Sequence, residues 1–226
     1  MQTIAIILTA IISYLLGSLN SSIITVRLMK GEDIREKGSK NAGLTNTLRC
    51  YGKVPALFTL IGDLAKGIIA VLLSQLVCRL LMGEDYSSDH FIDSQAIGYI
   101  AGFFAIIGHI FPVYYGFKGG KGVLVASSVL IVIDPVTFAI VIPFFILVII
   151  ITKYVSVGSI SAAVAYPVIT FCVNYFLRDD TLEKSLLYTA LTVGTGILLI
   201  YMHRTNIARL KAGTENKFSV KKTKNE

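Results

Sequence analysis

Long apolar runs separated by short polar segments dominate the chain. Residues 1–26, 94–117, 135–152, 154–177 and 185–203 contain no charged side chain, and 54–82 is apolar apart from Asp63, Lys66 and Arg79. A helix needs about 20 apolar residues to cross a hydrocarbon core of about 30 Å. Backbone in lipid must satisfy its own hydrogen bonds, so each run predicts a transmembrane helix. The run 123–133 offers only 11 uncharged residues, which make about 16 Å of helix. It crosses only when its helix begins inside the preceding loop. The alternative is one long span through 123–152, with Asp134-Pro135 in mid-membrane.

The charge pattern chooses between the two. Lys and Arg favour cytoplasmic loops. Seven basic residues lie in 27–53 (Arg27, Lys30, Arg35, Lys37, Lys40, Arg49, Lys53) and seven in 204–226 (Arg204, Arg209, Lys211, Lys217, Lys221, Lys222, Lys224), with Lys118, Lys121 and Lys153 between. Acidic residues gather at Glu84, Asp85, Asp89 and Asp93, at Asp134, and at Asp179, Asp180 and Glu183. Keeping Lys121 and Lys153 on one side requires two crossings between them, with Asp134-Pro135 as the outer turn. Proline also starts helices well and disfavours helix at the residue before it.

The pattern therefore predicts an all-α polytopic membrane protein, a single domain over residues 1–226. Seven spans are expected, at about 3–26, 54–80, 95–116, 119–133, 135–152, 157–177 and 185–203, followed by a tail over 204–226. The N-terminus is expected outside and the C-terminus in the cytoplasm. A signal peptide is the competing reading of the N-terminus, but no basic region precedes the apolar run, which is longer than such peptides use.

Composition agrees: 54% hydrophobic and 15% charged residues, with a mean hydropathy of +0.70, exclude disorder, a coiled coil and a disulfide scaffold. The net charge of +7 sorts into inner segments with 17 basic and 5 acidic residues and outer segments with 8 acidic and 2 basic ones. That excess reads as sidedness plus an anion site rather than a nucleic-acid footprint. Cys50, Cys78 and Cys172 show no CxxC spacing, and no metal or cofactor is expected. There is no internal repeat, no Walker A loop and no HExxH helix.

Four polar segments fall at the predicted inner face. In Gly31–Arg49, Asn41, Thr45 and Asn46 can bind hydroxyls or oxyanions, and Arg49 has the fork geometry for phosphate. A positive loop that only sets topology would look similar. In Gly108–Gly122, Gly119, Gly120 and Gly122 surround Lys121 and permit a backbone nest for an anion beside an ammonium. His109, within an uncharged run, reads as a structural hydrogen-bonding group. In Val157–Ala163 the small residues suit close helix packing, with Ser159 a potential donor. In His203–Glu215, a continuing helix would place His203 and Asn206 on one face. Asp63 and Lys66, three apart inside the second span, read as a mutually neutralising structural pair.

Together these segments resemble the bacterial membrane glycerol-3-phosphate acyltransferases that use acyl phosphate as donor. Gly38–Arg49 is similar to the family's first motif, Gly108–Gly122 to its second and His203–Glu215 to its third, in the same order along nearly the whole chain. Lys40 stands where the family usually has Gly, Leu44 where it has Ala, Asn20 for a common Pro and Thr205 for a common Glu.

The resemblance implies seven transmembrane helices in the bacterial cytoplasmic membrane, with the active site on the cytoplasmic face. It implies transfer of a fatty acyl group from acyl phosphate to the 1-hydroxyl of glycerol 3-phosphate, giving lysophosphatidic acid and phosphate. By the same resemblance Ser39, Arg49 and Lys121 bind the phosphate-bearing substrates, Gly119 and Gly120 shape the phosphate loop, Ser159, His203 and Asn206 complete the site, and Glu215 is structural. Membrane lipid is the surrounding partner, and no nucleic acid is expected.

None of His90, His109 and His203 is followed five positions later by Asp, which argues against His-x4-Asp acyltransferases. The donor's own phosphate is then the expected proton acceptor, with His203 orienting the hydroxyl. A small transporter or channel for an anionic metabolite is the rival reading. It predicts polar residues spread through several spans, whereas here they cluster at one face.

Overall fold

The computed structural model describes residues 1–83 and 92–217 and is helical throughout. Glu84, Asp85 and Asp89, and Lys221, Lys222 and Lys224, assigned above to the two faces, lie outside the described residues. The helices are α1 (Gln2–Gly17), α2 (Ser21–Lys30), α3 (Leu44–Tyr51), α4 (Lys53–Met82), α5 (Ser94–Ile110), α6 (Val123–Ile133), α7 (Pro135–Thr152), α8 (Val155–Cys172), α9 (Leu182–Met202) and α10 (Arg204–Lys211).

Three boundaries differ from expectation. The first span is not one helix over 3–26 but breaks between α1 and α2. Ser18 Oγ turns back to donate to the Tyr14 carbonyl at 2.8 Å, and the Asn20 side chain caps α2 by accepting from the Ile23 N–H at 3.1 Å. Such short polar side chains compete with helical bonding and favour caps.

The helix expected from 119 starts instead at Val123. Gly119 and Gly120 give their N–H groups to the Ile110 and His109 carbonyls at 3.0 and 3.1 Å, and Gly122 sits at φ +87°. Nor does one helix carry His203 and Asn206, because the chain breaks at His203 between α9 and α10. The polar segment after α2 also contains a helix, α3, that its lack of apolar periodicity had hidden.

Among the described residues, six helical segments are long and apolar enough to cross a membrane: Gln2–Lys30, Lys53–Met82, Ser94–Tyr115, Pro135–Thr152, Val155–Leu177 and Leu182–Met202. Helix α6 is apolar but shorter. Asp134 makes the turn before α7, accepting from the Thr137 N–H at 3.0 Å and its hydroxyl at 2.6 Å, with Pro135 as the first helical residue.

Large apolar side chains such as Ile151, Val168, Ile197 and Leu80 point outward, while Thr9, Ser13, Ser74, Ser128 and Thr192 are buried. This inverts the soluble pattern, since polar and small groups join helices where lipid supplies no hydrophobic drive between them. Helix α1 packs between α4 and α5. Ser13 bonds Ser74 at 3.0 Å, and a Cβ on Gly17 would strike the Ala105 backbone.

The two ends of the bundle differ. At one end Asp134 pairs with Arg178 at 2.8 Å and accepts from the Tyr99 hydroxyl, while Asp93 accepts from Lys184 at 3.1 Å and from the Tyr188 hydroxyl at 2.6 Å. The opposite end carries the glycine-rich loops and α10.

Candidate active site

The first loop is folded around two side chains. Asn46, almost fully buried, accepts from the Ser39 N–H at 3.0 Å and donates to the carbonyls of Lys37 (3.0 Å) and Asn41 (3.1 Å). Its amide, grouped above with the substrate contacts, is thus engaged by the loop itself. Asp33 takes a two-pronged contact from Arg35 at 2.9 and 2.7 Å and a third from Arg27 at 2.8 Å. The bonds from Arg35 hold the Asp33 carboxyl well below the usual carboxylate range. Arg35 then reaches the Tyr115 carbonyl at 2.7 Å and that of Lys118 at 3.2 Å, lacing the first loop to the second.

Glycine is required where these loops meet. At Gly119 a Cβ would collide with the His109 carbonyl and come within 3.0 Å of that of Ile110. At Gly120 it would overlap His109 Nε2 and lie 2.5 Å from the Ala42 carbonyl. The Ala42 carbonyl is itself bonded by Asn20 Nδ2 at 3.3 Å. Asn20, the departure noted above, therefore caps α2 and ties the first loop down. Lys40 adopts φ +58°, a left-handed conformation more natural to glycine.

Lys121 follows directly. Its ammonium bonds Asn206 Oδ1, and Asn206 Nδ2 donates to Glu215 Oε1 at 2.7 Å. Glu215 also accepts from Ser156 Oγ at 2.9 Å and from Arg209 Nε at 2.6 Å. Burial raises the Glu215 carboxyl, but these hydrogen bonds outweigh it and keep the group ionised. Burial, helped by the fields of Arg209 and Arg49, lowers the Lys121 pKa to about 8. A cation kept that uncomfortable is ready for an anion.

His203 is buried, with Nδ1 2.8 Å from the Leu199 carbonyl, so the neutral ring leaves Nε2 with a free lone pair. Ser159, also buried, donates to its own helix at the Val155 carbonyl, 3.0 Å away. Ser39, Thr45 and Arg49 are exposed on the first loop and α3. Among the described residues no hydrogen bond links Ser39, Arg49 or Ser159 to the Lys121–Asn206 pair.

Arg35 and Ser156 were not singled out by sequence. Each acts on a partner far along the chain, and the one local hint was an Arg two positions after an Asp in a glycine-bounded loop.

A helical bundle with an apolar exterior, carrying a cationic, glycine-lined loop cluster at one end, defines a multi-pass membrane protein equipped to hold an anion. Residues 7–213 match the profile of the glycerol-3-phosphate acyltransferase family, and the chain belongs to that family. It is 41% identical over 222 residues to the glycerol-3-phosphate acyltransferase of Chlorobaculum tepidum, covering 92% of this chain and 94% of that one. It is 38% identical to that of Clostridioides difficile, covering 98% and 100%.

The fold is similar to the crystal structure of PlsY, an integral membrane glycerol 3-phosphate acyltransferase, in its glycerol 3-phosphate form. The TM-score is 0.73 at 29% identity, covering 95% of this chain and 96% of that one. The lysophosphatidic acid form of PlsY gives 0.69 at 27% identity, covering 95% of each chain. This protein is accordingly a membrane acyltransferase.

Proposed function

We propose that the protein transfers a fatty acyl group from acyl phosphate to the 1-hydroxyl of glycerol 3-phosphate, releasing lysophosphatidic acid and inorganic phosphate. This is the first step of phospholipid synthesis. The observation that carries the reading is the Lys121 ammonium, set after two obligatory glycines and bonded to Asn206, which Glu215 holds in turn.

The donor is already activated, so the protein must hold two anions together and stabilise charge in the transition state. Lys121 and Arg49 offset the charge of the phosphate groups, and the backbone around Gly119 and Gly120 shapes their seat. The acceptor oxygen attacks the acyl carbonyl carbon, the carbon–oxygen bond to phosphate breaks, and the departing phosphate takes the hydroxyl proton. His203, through the Nε2 lone pair, orients the hydroxyl. Ser39 and Ser159 supply further contacts. The site faces the cytoplasm of a bacterial inner membrane crossed seven times, with α6 as the short fourth crossing.

The test is turnover by purified protein given glycerol 3-phosphate with either acyl phosphate or acyl-CoA. Product is expected with acyl phosphate only; activity with acyl-CoA alone, or with neither, overturns the reading. Lys121→Ala should lower turnover by about 10²–10³, the effect of removing one preorganised charge-stabilising donor, with an unchanged thermal midpoint.

A further inference from the structure

The ion pair in α4 has more partners than neutrality requires. Lys66 Nζ lies 2.9 Å from Asp63 Oδ1, 2.8 Å from His109 Nδ1 and 3.0 Å from the Leu19 carbonyl. All three side chains are 5% exposed or less. Asp63 Oδ1 has no aligned hydrogen bond, so it depends on the charge of Lys66. An ammonium only donates, so Nδ1 of His109 accepts and the ring proton sits on Nε2. That Nε2 edge abuts Gly120, and the His109 carbonyl takes the Gly120 N–H at 3.1 Å. His109 thus grips, by ring and by backbone, the residue immediately before Lys121.

The second arm of Lys66 reaches the other wall. Leu19 lies in the break between α1 and α2, next to Asn20, whose amide bonds the Ala42 carbonyl. That carbonyl is the other atom a Cβ at Gly120 would meet. One ammonium therefore touches the residues that lead to both sides of Gly120. Two charges at this depth cost more than a pair of packed apolar residues would, and such groups persist where they are used.

We propose that Asp63, Lys66 and His109 form a positioning chain for the phosphate loop. The buried pair orients the imidazole, and the imidazole holds Gly119, Gly120 and Lys121 in the conformation that receives the substrate phosphate. The proposal rests on reading that loop as the seat of the glycerol 3-phosphate anion.

The experiment compares wild type with the double variant Asp63→Asn/Lys66→Met, which removes both charges together and strands neither. A thermal midpoint in detergent reports folding. KM for glycerol 3-phosphate should rise about tenfold or more, and kcat should fall by less than in Lys121→Ala, because the ammonium itself is retained. The inhibition constant of inorganic phosphate should rise in parallel.

His109→Asn keeps an acceptor near the Nδ1 position but removes the ring from Gly120, and should show the same rise. Lys66→Arg retains donors to His109 and Leu19 and should stay near wild type; these two variants decide the matter if the double variant does not fold. A lowered midpoint with wild-type constants in the folded variants overturns the positioning chain. Absence of turnover in wild type would instead remove the functional reading beneath it.

Discussion

At the scale of single residues, the role proposed for Lys121 brings a pH dependence with it. Burial and two neighbouring guanidinium groups favour the neutral amine, with a pKa of about 8. At this position only the ammonium, not the amine, attracts phosphate, so kcat/KM, which reports the free enzyme, should fall as pH rises through about 8. A bound dianion favours the charged form and should move the corresponding limb of kcat to higher pH. In Lys121→Arg the alkaline limb should vanish from kcat/KM, because a guanidinium stays charged there. A limb that persists in that variant assigns the titration elsewhere.

At the scale of helices, close approach is set by two glycines facing across one seam. A Cβ on Gly17 would strike the Ala105 backbone, and one on Gly108 would meet the Tyr14 carbonyl and come 2.8 Å from the Ser18 nitrogen. Gly17→Ala should therefore force α1 from α5 and cost about 1–3 kcal/mol, as overpacking does elsewhere. The measurement is a thermal midpoint in detergent; an unchanged value shows that the seam can part freely.

Most helices could be read from the chain because charge-free length alone makes a span, and Asp134-Pro135 announces its own turn. The break after Gly17 did not stand out, because Ser18 and Asn20, which bond back to Tyr14 and ahead to Ile23, are uncharged and leave the apolar run unbroken. The late start of α6 is likewise set by two carbonyls at the end of α5. In the site, Lys121, His203 and Asn206 stood out by motif. Arg35 did not, because its role lies in carbonyls 80 and 83 residues away. Asn46 was visible as a polar side chain, but that its amide turns inward to build the loop is a fact of folding.

At the scale of the whole molecule, charge divides the bundle. One end holds Asp93 and Asp134 with their basic partners, the other Lys121 and Arg49 beside the pairs Arg35–Asp33 and Arg209–Glu215. The proposed seven crossings put Lys153 in the cytoplasm and Asp179 outside, and both are exposed. In a background lacking Cys50, Cys78 and Cys172, Asp179→Cys should react with an impermeant maleimide in intact spheroplasts. Lys153→Cys should react only after lysis. Labelling of both from one side would reduce the crossings.

The shortness of α6 has a kinetic meaning. From their common turn at Asp134, α7 climbs 18 residues and α6 only 11, so the mouth of the phosphate loop stands about 11 Å lower along the axis. Under the proposed function, a water-borne reactant would meet its lipid-borne partner below the level where α7 ends. That partner would arrive by lateral diffusion, confined to a sheet with its head at a fixed height. Its search for the site would then run in two dimensions, and bilayer thickness would join concentration among the variables that set the rate.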